Sequence, residues 1–317
     1  MSAALVTEAQ FGEAIVAAGL PANAPASPGP APLASPSYKA LESHARFVAG
    51  PEARVFLKVM HPEMRPGFDL KAAMQLATRA GDAGIGPKVF WSDAAAGAIA
   101  MEAFEADAGW CTANQYTLQD PDFLAAAMGT IRALHDTGPL ASRFDPFAQI
   151  DALIAELRQF GAGLPDDIAW LRRLIAEAEP LLETADLAPC RNDGSASNLL
   201  KGPAGEVRLI DYDRAGMNDP LYDVGALLAE TTDFERDMRA GYTAYAGSFD
   251  EQGFARARIW SFVDDMLHAL WSRHNAQTSV RGAVEWIKYG EWRLMRLRMA
   301  LNDRGFEERI RLARGTA

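Results

Sequence analysis

Residues 188–213 read APCRNDGSASNLLKGPAGEVRLIDYD, and the rest of the chain is best read outward from them. Asp193 sits in a polar turn of small residues, and Asn198 stands five positions later, directly before Leu199–Leu200. A turn at Gly202–Gly205 leads into EVRLIDYD, whose Leu209–Ile210 run ends at Asp211. Two short hairpin-like strands therefore bring Asp193, Asn198 and Asp211 to one end. Asp and Asn are common in loops because their side chains bond neighbouring backbone, and an Asp and an Asn at this spacing alone arise often by chance. An apolar strand, an acid, a hairpin and a second apolar strand ending in an acid form a much more specific pattern.

Such a set suits phosphoryl transfer. One carboxylate accepts the proton of an attacking hydroxyl, while an amide oxygen and a second carboxylate hold Mg²⁺ against nucleotide phosphates. A lysine is then needed to neutralise phosphate charge. Upstream, RVFLKVM at 54–60 reads as a strand with Val55, Leu57 and Val59 on one face and Phe56, Lys58 and Met60 on the other. Within that segment alone, Lys58 is either an edge residue in solvent, the favoured reading, or a buried charge with a partner.

Around this strand, FDLKAAMQLATRAGDAGIGP predicts a helix ending at Gly81 or Gly84, since Pro87 forbids continuation. KVFWSD and GAIAMEAF predict two further strands. Strand, helix, strand, strand over this stretch suggests a small, largely antiparallel sheet carrying one helix. Before it, residues 4–19 predict a short amphipathic helix, followed by prolines at 21, 25, 28, 30, 32 and 36. Proline removes amide donors, so that stretch is expected as an extended linker or arm. After Glu105 the chain turns mainly helical, with Asp120–Pro121 as a helix start. Residues 188–231 interrupt this helical part.

CRNDGSASNLL followed by LIDYDRAGMNDPLYDVGALLAE resembles the signature of the choline/ethanolamine kinases and the related aminoglycoside phosphotransferases, which share the protein-kinase-like fold. The correspondence runs through Asn192, Asp193, Asn198, Ile210, Asp211, Tyr212, Asn218, Asp223 and Glu230, within a similarity spanning residues 35–305. The resemblance implies an α+β, bilobal protein-kinase-like fold: a small N-terminal antiparallel sheet with one helix, and a larger, mainly helical C-terminal lobe. The expected division is residues 1–34 as N-terminal helix and Pro-rich arm, 35–104 as nucleotide-binding lobe, and 105–317 as catalytic and substrate lobe. By the same resemblance Asp193 is the catalytic base, Asn198 and Asp211 bind Mg²⁺, and Lys58 contacts the ATP phosphates. Met101, Glu102 and Phe104 belong to the hinge beside the adenine, and Asp223 faces the substrate.

Three departures from the family pattern stand out. Arg191 replaces a largely structural histidine. The expected phosphate loop, ASPSYKALESHARF, has no glycine, so its backbone cannot easily take φ > 0 or approach a phosphate; Ser35, Ser37 and Lys39 are left to donate instead. The usual glutamate partner of Lys58 falls on Ala73, with Asp69 or Glu63 as substitutes.

Aromatic residues concentrate in the C-terminal third. Most are core, since aromatics bury large areas. DDMLHALWSRHN and EWIKYGEW resemble the helices that line the choline site of choline kinases, which makes Trp271, Trp286 and Tyr289 candidates for a cation–π site. Asp264 and Asp265 read as a solvated helix face, and His135 and His268 as core histidines.

Of 317 residues, 31 are Lys or Arg and 42 are Asp or Glu, a net charge of −11. Nucleic acid is thereby disfavoured as a partner, because phosphate binding needs clustered Lys and Arg; a cationic small molecule is compatible. Two cysteines build neither a disulfide framework nor a metal cage. The N-terminal stretch lacks a basic region and carries Glu8 and Glu13, and no apolar run is long enough to span a membrane. The expectation is a soluble, cytoplasmic, ATP- and Mg²⁺-dependent phosphotransferase acting on the hydroxyl of a small, cationic molecule, most like choline or ethanolamine. The alternatives are an aminoglycoside or sugar phosphotransferase, and a pseudokinase that binds nucleotide without efficient turnover.

Overall fold

The alternating faces of RVFLKVM require a layer on each side, and the fold supplies both. The computed structural model describes residues 4–34, 38–161, 163–232 and 234–315. Helix α1 (Glu8–Ala17) precedes strands β1 (Ala26–Pro28), β2 (Leu33–Ala34), β3 (Tyr38–Lys39), β4 (Ser43–Ala49) and β5 (Arg54–Met60). Helix α2 (Leu70–Asp82) and strands β6 (Val89–Asp93) and β7 (Ala98–Glu102) follow. The sheet runs β1-β4-β5-β7-β6 with every neighbour antiparallel. Val55, Leu57 and Val59 pack with Phe11, Ala14 and Ile15 of α1, and Phe56, Lys58 and Met60 face a cleft on the other side. The edge position favoured for Lys58 is thus corrected. β5 is the middle strand, because β4 and β7 flank it from before and after in the chain.

The proline-rich stretch supplies β1 as well as extended chain. Pro28 stands opposite Arg46 on an edge strand, where a missing N–H costs no ladder bond. Gly29 beside it lies so close to β4 that a Cβ would meet the Ala45 carbonyl oxygen at 2.6 Å. Helix α1 begins with a reciprocal cap between Thr7 and Gln10.

The segment before α1 is tied to the end of β5 by His61, whose Nδ1 accepts the Val6 N–H at 3.2 Å. Burial, then the nearby Arg281 guanidinium, lowers the His61 pKa to about 4. The folded state therefore binds fewer protons than the unfolded chain between about pH 6.5 and 4, and stability falls as pH drops through that window. The expected loss is on the order of 2–3 kcal/mol, read as a flatter pH–stability curve for His61→Asn in urea unfolding.

The second part contains β8 (Cys111–Thr112), α3 (Gln115–Leu118), α4 (Pro121–His135), α5 (Pro146–Gln159), α6 (Ile168–Ala176) and α7 (Glu179–Glu183). Strands β9 (Ala188–Cys190), β10 (Leu199–Lys201), β11 (Val207–Leu209) and β12 (Gly216–Asn218) come next. Helices α8 (Pro220–Thr231), α9 (Glu235–Ala246), α10 (Glu251–Thr278), α11 (Trp286–Leu301) and α12 (Phe306–Arg314) complete the chain. Helix α4 starts at the predicted Asp120 cap, whose side chain accepts from Asp122 N. Helix α10 is buried on nearly all sides, as expected of a helix enclosed by others: α5, α8, α11 and α12 pack around it. The whole is the α+β arrangement expected, a small antiparallel sheet followed by a larger helical part. Among the described residues no helix is long and apolar enough to cross a membrane.

Candidate active site

β10 and β11 form the predicted antiparallel hairpin, and β9 pairs with β12. The loop after β9 carries Asp193, and its Gly194 sits directly on α8: a Cβ there would lie 2.3 Å from the Ala226 carbonyl carbon. Asp193 is 4% exposed. Its Oδ1 accepts from Ser195 N at 2.8 Å and its Oδ2 from Asn198 Nδ2 at 3.0 Å. Each oxygen keeps a further lone pair for a substrate proton. Because the Asn198 nitrogen is spent on Asp193, its Oδ1 is the atom left for a cation.

Arg191, the departure from the family's histidine, has a clear structural task. Its Nη1 donates to the Asn198 and Ile210 carbonyls at 2.8 and 2.9 Å, clamping the residue before Asp211 to Asn198. Arg191→Leu leaves the Ile210 carbonyl without its donor and the Asn198 carbonyl with the Ile210 N–H alone, at a cost of about 1–3 kcal/mol, and loosens the geometry enough to lower kcat about 10- to 100-fold. Urea unfolding and initial rates check this prediction.

Lys58 reaches across from β5. Its Nζ lies 2.7 Å from Asp211 Oδ1 and 2.8 Å from Asp213 Oδ2. Burial works against its charge, but the two carboxylates overcome that and hold its pKa above the usual lysine value. Burial likewise raises Asp211, yet Lys58 outweighs it and the net shift is downward. Asp213 is pushed up to about 6 by burial and by Asp211. Glu42, beneath this group and bonded to the Tyr38 hydroxyl, is pushed up to about 8 by burial, Asp211 and Asp213. The substitutes expected for the missing glutamate at Ala73 do not serve. Asp69 caps α2, accepting from Lys71 N and Ala72 N, and Glu63 pairs with Arg281.

A cleft of about 570 Å³ lies between sheet and hairpin. The structure places Lys39, Lys58, Met101, Glu102 and Phe104 on its wall, together with Asn198 and Asp211. Ser37 falls outside the described residues. Pro28, Gly29, Pro30 and Ala40 also border it, and Ala40 takes φ 51°, a left-handed turn that costs an L-residue about 1–2 kcal/mol and that a glycine would make freely. The oxygen donors of Asn198 and Asp211, with carboxylate oxygens of Asp211, Asp213 and Glu42 within 4.8 Å of one another, fit a hard divalent cation such as Mg²⁺.

Asp223 lies elsewhere than expected. It sits at 3% exposure behind the loop that carries Asp193, accepting the Arg191 and Asn192 N–H groups at 2.9 and 2.7 Å, with His135 Nε2 at 3.2 Å. With both oxygens so engaged it positions the loop rather than facing substrate. Asp264 and Asp265 are also not a solvated face. Both are 2% exposed, paired with Arg293, and Asp265 also with Arg296 of α11.

Trp271, Trp286 and Tyr289 do come together, and Tyr38 of β3 joins them. Its ring stacks on Tyr289 at 5.6 Å and meets Trp271 edge-on at 5.6 Å. Asp193 is near enough for its charge to act on Tyr38, Tyr289 and Arg214. The cations facing these rings belong to the chain itself: Arg214 over Trp271 at 5.1 Å, Arg281 over Trp286 at 5.3 Å and Arg293 over Tyr289 at 5.9 Å.

Asp213, Glu42, Tyr38 and Arg214 were not singled out by the sequence. Asp213 had a signal in its nearness to Asp211 in sequence, although the chain is turned rather than extended there, with Asp211 at φ 63° beyond the end of β11. The others become neighbours only through the fold.

Residues 39–260 match the phosphotransferase enzyme family. A stretch of 135 residues is 29% identical to thiamine kinase of Escherichia coli, covering 41% of this chain and 44% of that protein. The chain thus spans about half the length of such curated relatives. Among solved structures, the choline/ethanolamine kinase family protein from Mesorhizobium loti superposes with a TM-score of 0.76 at 22% identity, covering 90% of this chain and 93% of that one. Choline kinase LicA from Streptococcus pneumoniae gives 0.66 at 17% identity over 80% and 89% of the two chains. These likenesses establish the shared protein-kinase-like fold.

Proposed function

The chain belongs to the phosphotransferase enzyme family, and we propose that it transfers the γ-phosphoryl group of Mg-ATP to the hydroxyl of a small molecule. The observation that carries this reading is the convergence of Asp193, Asn198, Asp211 and Lys58 at the junction of sheet and hairpin, with three of the four on the wall of one cleft. In it the nucleotide base rests against Met101, Glu102 and Phe104. Lys58 exchanges its carboxylate partners for phosphate oxygens, and Asp193 accepts the proton of the attacking hydroxyl. The Asn198–Asp193 bond and the Arg191 clamp hold these groups in register. Bound Mg²⁺ supplies charge neutralisation at the phosphates, with Asn198 and Asp211 as the residues to hold it. Catalysis then rests on positioning and electrostatics more than on covalent chemistry.

The acceptor we take first is a small amino alcohol of the choline or ethanolamine kind, supported by the acidic balance of the chain. The two carboxylates on Lys58 speak against a pseudokinase, since Ala73 does not leave that lysine without counter-charge. Two free cysteines, Cys111 and Cys190, are consistent with the cytoplasm, where ATP and Mg²⁺ are available. The test is ADP release from Mg-ATP over a panel of choline, ethanolamine, aminoglycosides and simple sugars, with a chelated control. Acceptor-dependent, Mg²⁺-dependent ADP supports the reading; ADP release that no acceptor changes counts against it.

A further inference from the structure

Arg214 follows directly on Asp213, and nothing in the phosphoryl-transfer account uses it. It is 6% exposed, with its guanidinium 5.1 Å from the centre of Trp271 and 5.2 Å from that of Phe68. Its Nε and Nη2 are closed off from solvent and donate to nothing among the described residues, and Arg214 stands next to, but not on, the wall of the cleft that Asp213 lines. The carboxylates near it are engaged elsewhere: Asp193 with Ser195 and Asn198, Glu42 with the Tyr38 hydroxyl, Asp211 and Asp213 with Lys58. Other buried arginines of this region have partners. Arg191 holds two carbonyls, and Arg293 and Arg296 ion-pair with Asp264, Asp265 and Glu230, even though Arg293 Nε makes no aligned hydrogen bond. A buried guanidinium whose donors are unpaired is costly and marks a place where a partner is expected.

The two free atoms say what that partner is. Nε and Nη2 form the side-on fork of an arginine. With those two atoms Arg172 holds both oxygens of Asp151 in this chain, and Arg298 both oxygens of Asp167. The fork matches a carboxylate or phosphate. Meanwhile the cation–π position over Trp271 is filled from within, so an external quaternary ammonium there would meet a fixed positive charge. We propose that Arg214 is the specificity residue of the acceptor site, and that the acceptor carries an oxyanion, a carboxylate or a phosphate, besides the hydroxyl that faces Asp193. This rests on the phosphotransferase reading and changes its acceptor: choline and ethanolamine themselves lack such a group, and an amino alcohol qualifies only when it also bears one.

Matched pairs test it on the purified chain. Ethanolamine and serine differ by one carboxylate, glycerol and glycerol 3-phosphate by one phosphate, and choline serves as the cationic control. The expected result is a kcat/KM about 10- to 100-fold higher for the oxyanion-bearing member of at least one pair, with the same order in calorimetric binding alongside Mg-ADP. Which pair responds distinguishes carboxylate from phosphate. Arg214→Gln brings that ratio close to one, Arg214→Lys gives an intermediate ratio, and circular-dichroism melting checks that both fold. A preference for choline, ethanolamine or glycerol over every oxyanion-bearing partner overturns the proposal, as does a ratio that survives Arg214→Gln. A uniform fall for all acceptors at unchanged ratio also overturns it, placing Arg214 on the transferring phosphoryl group. Oxyanion-bearing alcohols that bind through Arg214 without being phosphorylated would leave the site standing and sink the phosphotransferase reading instead; no binding and no turnover sinks the site.

Discussion

Asp193→Asn is expected to lower kcat by about 10²–10⁴-fold while the protein still folds and still binds Mg-ATP. The side chains are the same size, and the amide oxygen can go on accepting from Asn198. What is forfeited in structure is the bond from Ser195 N, worth about 1–2 kcal/mol. What is forfeited in chemistry is the group that takes the proton of the attacking hydroxyl, and an amide has no such capacity at neutral pH. Steady-state rates, with calorimetry of Mg-ADP binding beside them, separate the two losses. A variant turning over within a few-fold of wild type would remove Asp193 from the reaction.

Lys58→Met is the second large effect, and it acts twice. The Nζ that bridges Asp211 and Asp213 at 2.7 and 2.8 Å disappears, leaving two carboxylates in a largely enclosed site. Breaking a buried pair from one side costs about 3–5 kcal/mol, and the partial opening of the cleft toward water places this case at the lower end. The pH dependence gives the cause away. A buried carboxylate that has lost its cation takes up a proton more readily than in the unfolded chain, so the variant gains stability relative to wild type as pH falls from 7 to 5. Adding Asp213→Asn to Lys58→Met recovers part of the loss at pH 7. Kinetically, the loss of a phosphate-binding cation raises KM for ATP at least about tenfold. Thermal melts at the two pH values and ATP titrations check both arms; equal melting shifts at pH 5 and 7 would contradict the electrostatic account.

The hairpin that gathers Asp193, Asn198 and Asp211 was legible because its parts are neighbours in sequence. Asp193, Asn198 and Asp211 are separated only by a turn and two short strands, and apolar runs mark each strand. Sheet strands and helix starts were readable for the same reason, through alternation in RVFLKVM and the Asp120–Pro121 cap. What could not be read depends on distant partners. The carboxylates on Lys58 lie 153 and 155 positions away, and only the fold shows that β5 is central. Asp264 and Asp265 look solvated on their own helix, and become buried because α11 returns Arg293 and Arg296 to them. The proline-rich stretch hides a strand because local propensity argues against one, and an edge position forgives the missing donors. Tyr38 escapes a search for aromatic clusters because it comes from the other end of the chain.

The central claim is that the γ-phosphoryl group passes to an alcohol under Asp193. Phosphorus NMR of Mg-ATP with the acceptor mixture and either wild type or Asp193→Asn follows that group directly. The account predicts that wild type converts the γ resonance into a phosphomonoester resonance in step with ADP, and that Asp193→Asn does so at a small fraction of the rate. ATP that stays intact with every acceptor, or phosphorus that appears only as inorganic phosphate, would contradict it.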